Sequence, residues 1–315
     1  MARFLITGGG GFIGSNCVEH LLHMGHDPIV FDDFSTGRRE NLSHIRTSID
    51  IYEGSVLDRD MLTRVVKGVD YCIHLAAVPS VPRSILDPWM TNRSNVEGSL
   101  NVFLAARDAG VKRVIFASSS SVYGLSETLP LHEALPCAPI SPYGVSKYCS
   151  EHYARVFSRL YDMDIVCLRY FNVFGPRQDP QSPYAAVVPR FISSMLRGEK
   201  PIIYGDGMQS RDFTFVQNVA WASVQACLSP GRITGVYNIA CGGAVTVRAL
   251  AQSIADILGV SIEPEYHPAR CGDIPHSLAD ISRAKEAFGY RPLVTVQAGL
   301  QRTVEWFRER AERHR

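Results

Sequence analysis

Thr7-Gly8-Gly9-Gly10-Gly11-Phe12-Ile13-Gly14 is the stretch from which the fold is read. It follows a short apolar run, Arg3 to Thr7, and opens into Phe12 to Gly25, where apolar residues recur every three or four positions. The order is therefore strand, glycine turn, helix, the context a dinucleotide fingerprint requires. Glycines let the chain turn sharply and bring backbone N–H groups against a pyrophosphate at the helix N-terminus, where unpaired donors and the helix dipole favour negative charge. The four-glycine run fits G-x-G-x-x-G through Gly9, Gly11 and Gly14, and G-x-x-G-x-x-G through Gly8, Gly11 and Gly14. Spacing alone does not choose between them.

The next apolar run, Pro28 to Asp32, ends in Phe31-Asp32-Asp33, with Asp32 standing 18 residues after Gly14. A carboxylate there accepts hydrogen bonds from ribose hydroxyls and repels a 2′-phosphate, so NAD is expected over NADP, with Arg38 and Arg39 nearby weakening that preference without reversing it. Further runs at Asp50 to Glu53, Tyr71 to Ala77, Arg113 to Ser118 and Asp164 to Tyr170 alternate with helical patterns at Asn92 to Ala109 and Tyr143 to Tyr161. Gly25 and Gly110 stand where helix-closing glycines belong. This alternation predicts an α/β fold with a Rossmann-type, doubly wound parallel sheet. After Asn172 the pattern loosens at Gly175-Pro176-Arg177-Gln178-Asp179-Pro180. The expected division is an NAD-binding domain over 1–172 and a smaller α/β substrate domain over 173–315, with segments near 213–240 packing back onto the first and Arg310 to Arg315 forming a solvated tail.

The composition excludes several classes. Of 315 residues 46% are hydrophobic and 20% charged, with mean hydropathy near zero, as in a soluble globular protein large enough for two cores. Thirty-two Lys and Arg against 31 Asp and Glu leave a net charge of +1, so neither nucleic acid nor a membrane surface is an expected partner. No run reaches the roughly 18–20 apolar residues of a membrane span, and Met1-Ala2-Arg3 leads straight into a strand, so no leader peptide is expected. Eight cysteines without a C-x-x-C pair read as reduced, buried thiols of a cytoplasmic enzyme, and no metal is expected.

Ser141-Pro142-Tyr143-Gly144-Val145-Ser146-Lys147 reads as a helix start, with Ser141 as cap and Pro142 in the first turn. Tyr143 and Lys147 are then one turn apart on one face. A phenol of ordinary pKa near 10 is a poor base, but a neighbouring ammonium and an oxidised nicotinamide both favour its ionised form. The run ending in Ala117-Ser118-Ser119-Ser120-Ser121 brings hydroxyls to the carboxyl edge of the sheet, with Ser119 24 residues before Tyr143.

Together with the glycine turn, this constellation resembles the extended short-chain dehydrogenase/reductase family of nucleotide-sugar enzymes, over nearly the whole chain. The resemblance implies that Ser119 binds the sugar hydroxyl to be oxidised, that Tyr143 removes its proton, and that Lys147 holds the nicotinamide ribose. It further implies NAD contacts from Gly8, Gly11, Phe12, Ile13, Gly14, Asp32, Asp33, Ser35, Thr36, Gly37, Ser55, Val56, Leu75, Ala76, Ala77, Asn95, Tyr143, Lys147 and Tyr170. Ser55-Val56 departs from the Asp-Ile that relatives place against adenine.

Dehydratases of the family resemble a pattern with Asp-Glu at Ser120 and Ser121, and UDP-xylose-forming decarboxylases place Glu at Ser121. Hydroxyls here point to C4 epimerisation of a UDP-sugar through a 4-keto intermediate, with NAD tightly bound and not consumed. Ser80-Val81-Pro82-Arg83, Tyr170-Phe171-Asn172 and Arg177-Gln178-Asp179-Pro180 resemble the bacterial UDP-N-acetylglucosamine 4-epimerases that make surface-polysaccharide precursors, with Pro79 replacing a glycine. Implied substrate contacts are Ser80, Ser119, Ser120, Ser121, Asn172, Gln178, Ala186, Val187, Arg211, Arg270, Asp273 and Ser277, the arginines on the diphosphate and Ser277 leaving room for an N-acetyl group. Other readings are a UDP-uronic acid epimerase, decarboxylase or oxidoreductase, and a non-catalytic NAD sensor, which would be expected to lack Tyr143 or Lys147. A homodimer through the helices at 92–109 and 143–161 is implied by resemblance.

Overall fold

The computed structural model describes residues 1–180, 186–269 and 274–313. Seven strands form a parallel sheet: β1 (Arg3–Thr7), β2 (Asp27–Asp32), β3 (Asp50–Glu53), β4 (Tyr71–His74), β5 (Arg113–Ser119), β6 (Ile165–Tyr170) and β7 (Gly235–Ile239). Their order is β7-β6-β5-β4-β1-β2-β3, every neighbouring pair parallel. Strand order reverses at β1, between β2 and β4, and the carboxyl ends there form the crevice where doubly wound sheets take ligands.

The period-two alternation of the strands divides their side chains between two cores. Phe4, Ile6, Val30, Ile73, Ile115 and Val166 pack on one face with Val18 and Leu21 of helix α1 (Phe12–His23). Leu5, Phe31, Cys72, Phe116 and Cys167 pack on the other with Phe103 of α2 (Gly98–Asp108) and Phe157 of α3 (Pro142–Leu160). Both faces are covered, which is why the central strands read as unbroken apolar runs; each fully buried Leu, Ile or Phe contributes about 1.5–3 kcal/mol.

A third core lies in the C-terminal half. There α4 (Val187–Leu196), α6 (Val247–Leu258) and α7 (Val296–Arg313) bury Phe191, Ile192, Leu250, Ile254, Leu300 and Phe307. Between α4 and α6 the chain returns to the first sheet: α5 (Val216–Leu228) packs on α1, and β7 pairs with β6.

Two elements differ from expectation. The run Tyr71 to Ala77 is a strand only as far as His74, because β1 ends at Thr7 and the chain beyond bonds that one residue, Leu75 N–H to Thr7 O at 3.1 Å and Ala76 N–H to Thr7 Oγ1 at 3.3 Å. The helix expected over Asn92 to Ala109 is a short helix, Pro88–Asn92, then a π turn, Arg93–Glu97, then α2. The wide turn carries Asn95, whose carbonyl accepts from the Ser99 hydroxyl and from Ser150 Oγ at 3.1 Å. Such π turns gather at functional sites.

Candidate active site

The glycine turn is held by steric necessity. Gly8 takes φ +71°, and a Cβ there would lie 2.7 Å from the Ala76 nitrogen; a Cβ at Gly14 would lie 2.1 Å from the Gly8 oxygen. Gly11 donates its N–H to Gly8 O at 3.1 Å and starts α1. The frame in force is therefore Gly8, Gly11 and Gly14. Helix α1 begins without a side-chain cap and without an acid in its first turn, so its dipole and the Phe12, Ile13 and Gly14 amides suit an anion.

Asp32 is buried at the end of β2, where its two oxygens accept Gly10 N–H and Phe34 N–H, each at 2.8 Å. Burial outweighs these bonds and raises its carboxyl pKa. Each oxygen retains acceptor capacity for a ribose hydroxyl. Asp33 is exposed and closes on Ser35, accepting from its N–H at 2.9 Å and its hydroxyl at 2.5 Å. Gly37 leaves room for Asp32, since a Cβ there would sit 3.0 Å from both carboxylate oxygens. The nearby arginines are engaged elsewhere, Arg38 with Asp179 at 2.7 Å and Arg39 with Glu53 and the Phe34 ring. These residues fit NAD, with Gly8–Gly14 around the pyrophosphate and Asp32 on the adenosine ribose. At the position in doubt, the Ser55 hydroxyl accepts Leu57 N–H at 3.3 Å, and Val56 is buried with its carbonyl bonded to Asn101 at 3.1 Å.

His74 and Asn95 shape the opposite wall. His74 Nε2 lies 3.0 Å from Ser99 Oγ and Nδ1 lies 2.7 Å from Thr7 Oγ1. Because Ser99 donates to the Asn95 carbonyl, it accepts from Nε2–H, which leaves Nδ1 to accept from Thr7. The ring is neutral, as burial also requires by lowering its pKa to about 3. It thereby fixes Thr7, which in turn fixes Ala76 against Gly8. Asn95 uses its amide on the protein, accepting Val78 N–H at 2.8 Å and donating to Ser146 Oγ at 3.0 Å. It anchors the Leu75–Val78 segment to α3. The Tyr170 hydroxyl lies 2.9 Å from Ser223 Oγ and is directed into the core.

Ser119, Tyr143 and Lys147 come together. Ser119 ends β5, and α3 starts as expected: Ser141 Oγ accepts Gly144 N–H at 3.1 Å, with Pro142 in the first turn. The Ser119 hydroxyl donates to Ser121 Oγ and accepts Ser121 N–H, each at 3.1 Å, and lies close enough to the Tyr143 phenol to favour its ionised form. Lys147 Nζ donates to Ala117 O at 2.9 Å and lies 5.9 Å from the centre of the Tyr143 ring. Below them, Arg169 binds both oxygens of Glu151 at 2.9 and 2.7 Å, and Ser118 donates to Glu151 at 2.5 Å. This buried network joins β5, β6 and α3 directly beneath Ser119.

The electrostatics refine the expectation for the phenol. Burial raises the Tyr143 pKa against the opposing hydrogen bond from Ser119, and burial lowers the Lys147 ammonium to about 8. In the cofactor-free chain the Tyr143 phenol is thus neutral. Bound NAD supplies the hydride acceptor and, when oxidised, a positive ring that favours the ionised phenol.

Two adjoining cavities lie past the end of β5, where Ser120 and Ser121 follow Ser119. One of about 110 Å³ is lined by Ser120, Ser121, Gly124, Ser126, Leu131, Asn172, Arg211, Ile274, His276 and Ser277. The other, of about 290 Å³, is lined by Ala186, Val187, Arg190, Tyr204, Gln209 and Phe213 among others. Asn172 and Arg211 belong to both. Asn172 holds the strained φ of +35° and donates to Asp212 O at 3.1 Å. Gln178 donates to Val173 O at 3.2 Å and leaves its buried Oε1 without a partner in the described structure. The Ser80 hydroxyl caps the helix Val81–Leu86, accepting Arg83 N–H at 3.2 Å. Arg270 and Asp273 lie outside the described residues.

Sequence reasoning missed Arg190, Tyr204, His276 and Asp212. Arg190 follows Ala186 by one helical turn and adds a cation at the uncapped start of α4. Asp212 is fully buried and accepts Cys241 N–H at 2.9 Å, Gly242 N–H at 3.0 Å and Ala279 N–H at 3.2 Å. Its signal was present: an acid leading directly into the run Phe213-Thr214-Phe215-Val216 is drawn into the core with it and must then be hydrogen-bonded.

Among the described residues, seven cysteines are free, and no helix is long and apolar enough to cross a membrane. Residues 4–240 match the NAD dependent epimerase/dehydratase family. A UDP-glucose 4-epimerase of Mycolicibacterium smegmatis is 38% identical over 314 residues, covering 98% of this chain and all of that one. A UDP-N-acetylglucosamine 4-epimerase from Methanobrevibacter ruminantium, solved with UDP-N-acetylmuramic acid, superposes with a TM-score of 0.94 at 42% identity, covering 98% and 99% of the two chains. The Thermus thermophilus UDP-glucose 4-epimerase solved with NAD gives 0.88 at 36% identity, covering 97% and 99%. With the glycine cradle and the Ser119, Tyr143 and Lys147 geometry, these similarities place the chain in the NAD dependent epimerase/dehydratase family.

Proposed function

We propose that this enzyme interconverts UDP-GlcNAc and UDP-GalNAc by inverting C4. One observation carries the choice of reaction: the cavity at Ser120 and Ser121, next to Ser119 in the chain, has as its polar lining among the described residues hydroxyls, one arginine, one histidine and one asparagine, with no carboxylate. Dehydration or decarboxylation needs a further acid or base at that face. Epimerisation needs only one proton shuttle and one hydride carrier.

Ser119 holds the C4 hydroxyl, and Tyr143 takes its proton while the hydride leaves C4 toward the cofactor. After the 4-keto sugar rotates, the hydride returns to the opposite face and Tyr143 returns the proton to the oxygen. Redox is balanced over the cycle. Arg211, Arg190 and the start of α4 hold the diphosphate, and the 290 Å³ cavity takes the nucleoside.

Ser277 supports the acetamido preference, because it is buried at the wall of the small cavity beside His276. Epimerisation of UDP-hexoses, their acetamido forms and their uronates, followed by chromatography, tests the assignment; turnover confined to plain hexoses or to uronates would overturn it. Ser277→Tyr is expected to lower kcat/KM for UDP-GlcNAc about 10–100-fold relative to UDP-Glc, the discrimination a filled pocket gives. Equal losses on both would refute a size gate.

The working form is a homodimer. Trp89 and Leu160 are 72% and 70% exposed, and with Leu86, Val145 and Val156 they put large apolar side chains on the packed helices Val81–Leu86, Pro88–Asn92 and α3. Light scattering should give twice the chain mass, and Leu160→Glu should halve it. A native monomer would refute this.

A further inference from the structure

We propose that the turn from Gly175 to Asp179 is a strap that keeps NAD in its crevice, fastened by two ion pairs of opposite polarity. The inference rests on NAD filling the glycine cradle and is independent of which sugar is turned over. The segment follows β6 (Ile165–Tyr170) after the short strand Val173–Phe174, and its far end is pinned to the loop after β2. By the sheet order these ends are four strand spacings apart, about 19 Å at roughly 4.8 Å each. That span runs from the nicotinamide end of the crevice to the adenosine end.

The fastenings are specific. Arg177 Nη2 donates to Asn16 Oδ1 at 2.8 Å and to Glu19 at 2.5 Å, both on α1, the helix whose N-terminus faces the pyrophosphate. Asn16 answers by donating to Pro176 O at 3.3 Å. One residue past Gln178, Asp179 accepts from Arg38 at 2.7 Å, and Arg38 in turn donates its backbone N–H to Gly10 O at 2.9 Å inside the glycine turn. The strap thus offers a cation and then an anion, and the cofactor side offers an anion and then a cation, so the segment binds in one register only. Arg177 holds φ +72°, a conformation that a residue with a side chain keeps when its surroundings impose it, and its guanidinium group is 9% exposed. Strap and glycine turn are therefore one bonded unit, and the cofactor leaves only when the unit opens.

The test is the rate of NAD release. Holoenzyme loaded with isotopically labelled NAD is diluted into excess unlabelled NAD, and the label retained by the protein is followed. Glu19→Gln and Arg38→Ala are each expected to speed release 3–10-fold, and the two together at least 20-fold. Glu19→Arg combined with Arg177→Glu, which reverses one pair, should release NAD more slowly than Glu19→Arg alone. Lys112→Ala, which breaks the exposed pair with Asp70 elsewhere on the protein, is the control and should leave the rate unchanged. Thermal melts verify that each variant is folded. Release rates unchanged by Glu19→Gln and Arg38→Ala, or raised as much by Lys112→Ala, would overturn the proposal.

Discussion

Asp212→Asn separates the fold from the site. In the folded chain Asp212 Oδ2 accepts two backbone amides and Oδ1 accepts Cys241 N–H. An asparagine that keeps its oxygen at the Oδ2 position presents an NH₂ to Cys241 N–H, donor against donor, at a cost of about 1–3 kcal/mol. The two remaining bonds lose charge assistance, about 1 kcal/mol each. The change also removes a carboxylate whose burial raises its pKa to about 6, from about 3.9 in an unfolded chain, a shift of roughly two units or about 3 kcal/mol. At pH 7 these effects offset, leaving about 0–2 kcal/mol of net destabilisation.

The pH dependence carries the sign. A carboxyl with a raised folded-state pKa stabilises fully below the unfolded value, and that contribution is lost as pH rises through about 6. The stability of the wild-type chain minus that of the variant should therefore grow by about 2 kcal/mol between pH 7 and pH 4, measured by paired denaturant unfolding. Taking the difference cancels groups that titrate alike in both proteins. The amides that Asp212 binds lie next to the loop carrying Ser277, and Asp212 itself follows Arg211, so KM for the UDP-sugar should rise about tenfold, with kcat changing less. A stability difference flat between pH 4 and 7 would refute burial as the cause of the shift. An unchanged KM would refute the positioning role.

Lys147→Arg should move the alkaline limb of the pH–rate profile. Burial lowers the lysine to about 8, so wild-type kcat should fall as pH rises through 8, whereas arginine stays charged; the same limb in both proteins would count against Lys147. Glu151→Ala leaves Arg169 buried without its carboxylate, a loss of about 3–5 kcal/mol that should lower the melting temperature by roughly 6–20 °C. A shift below about 2 °C would show the pair to be dispensable.

The parts legible in the sequence are those in which one local rule suffices. Strand, glycine turn and helix at 3–25, and the helix start at Ser141, each follow from neighbours a few residues apart. The alternation of strands and helices was enough for the parallel sheet. What escaped depends on partners distant in the chain. Nothing in the spacing around Asn95 announces a π turn, because its cause is an amide that must reach Val78 and Ser146. His276 and Arg190 enter the site only because the C-terminal half closes over the sheet edge. The position of Asp32 was readable, but not that its oxygens also hold the glycine turn through Gly10.

The two halves of the site are held by different elements, strand and helix on one side and loops on the other, and this bears on how such an enzyme changes substrate. Three separate ties join β5 to α3 or fix the walls around them: Lys147 to Ala117 O, Ser118 through Glu151 to Arg169, and Asn95 to Ser146. Weakening one leaves two to hold Ser119 against Tyr143. Around the small cavity, Asp212 links β7's exit to Ala279, and backbone bonds from Ser277 to Ser210 and from Leu131 to Leu278 hold the segment, while Ser277, Ser126 and His276 line the cavity from loops. Substitutions in those loops alter cavity shape without reaching the proton shuttle, so specificity shifts while the chemistry persists. A change at Ser277, on the cavity wall, should therefore redirect the enzyme between sugars, whereas a change at Glu151, buried beneath β5 and α3, should chiefly unfold it.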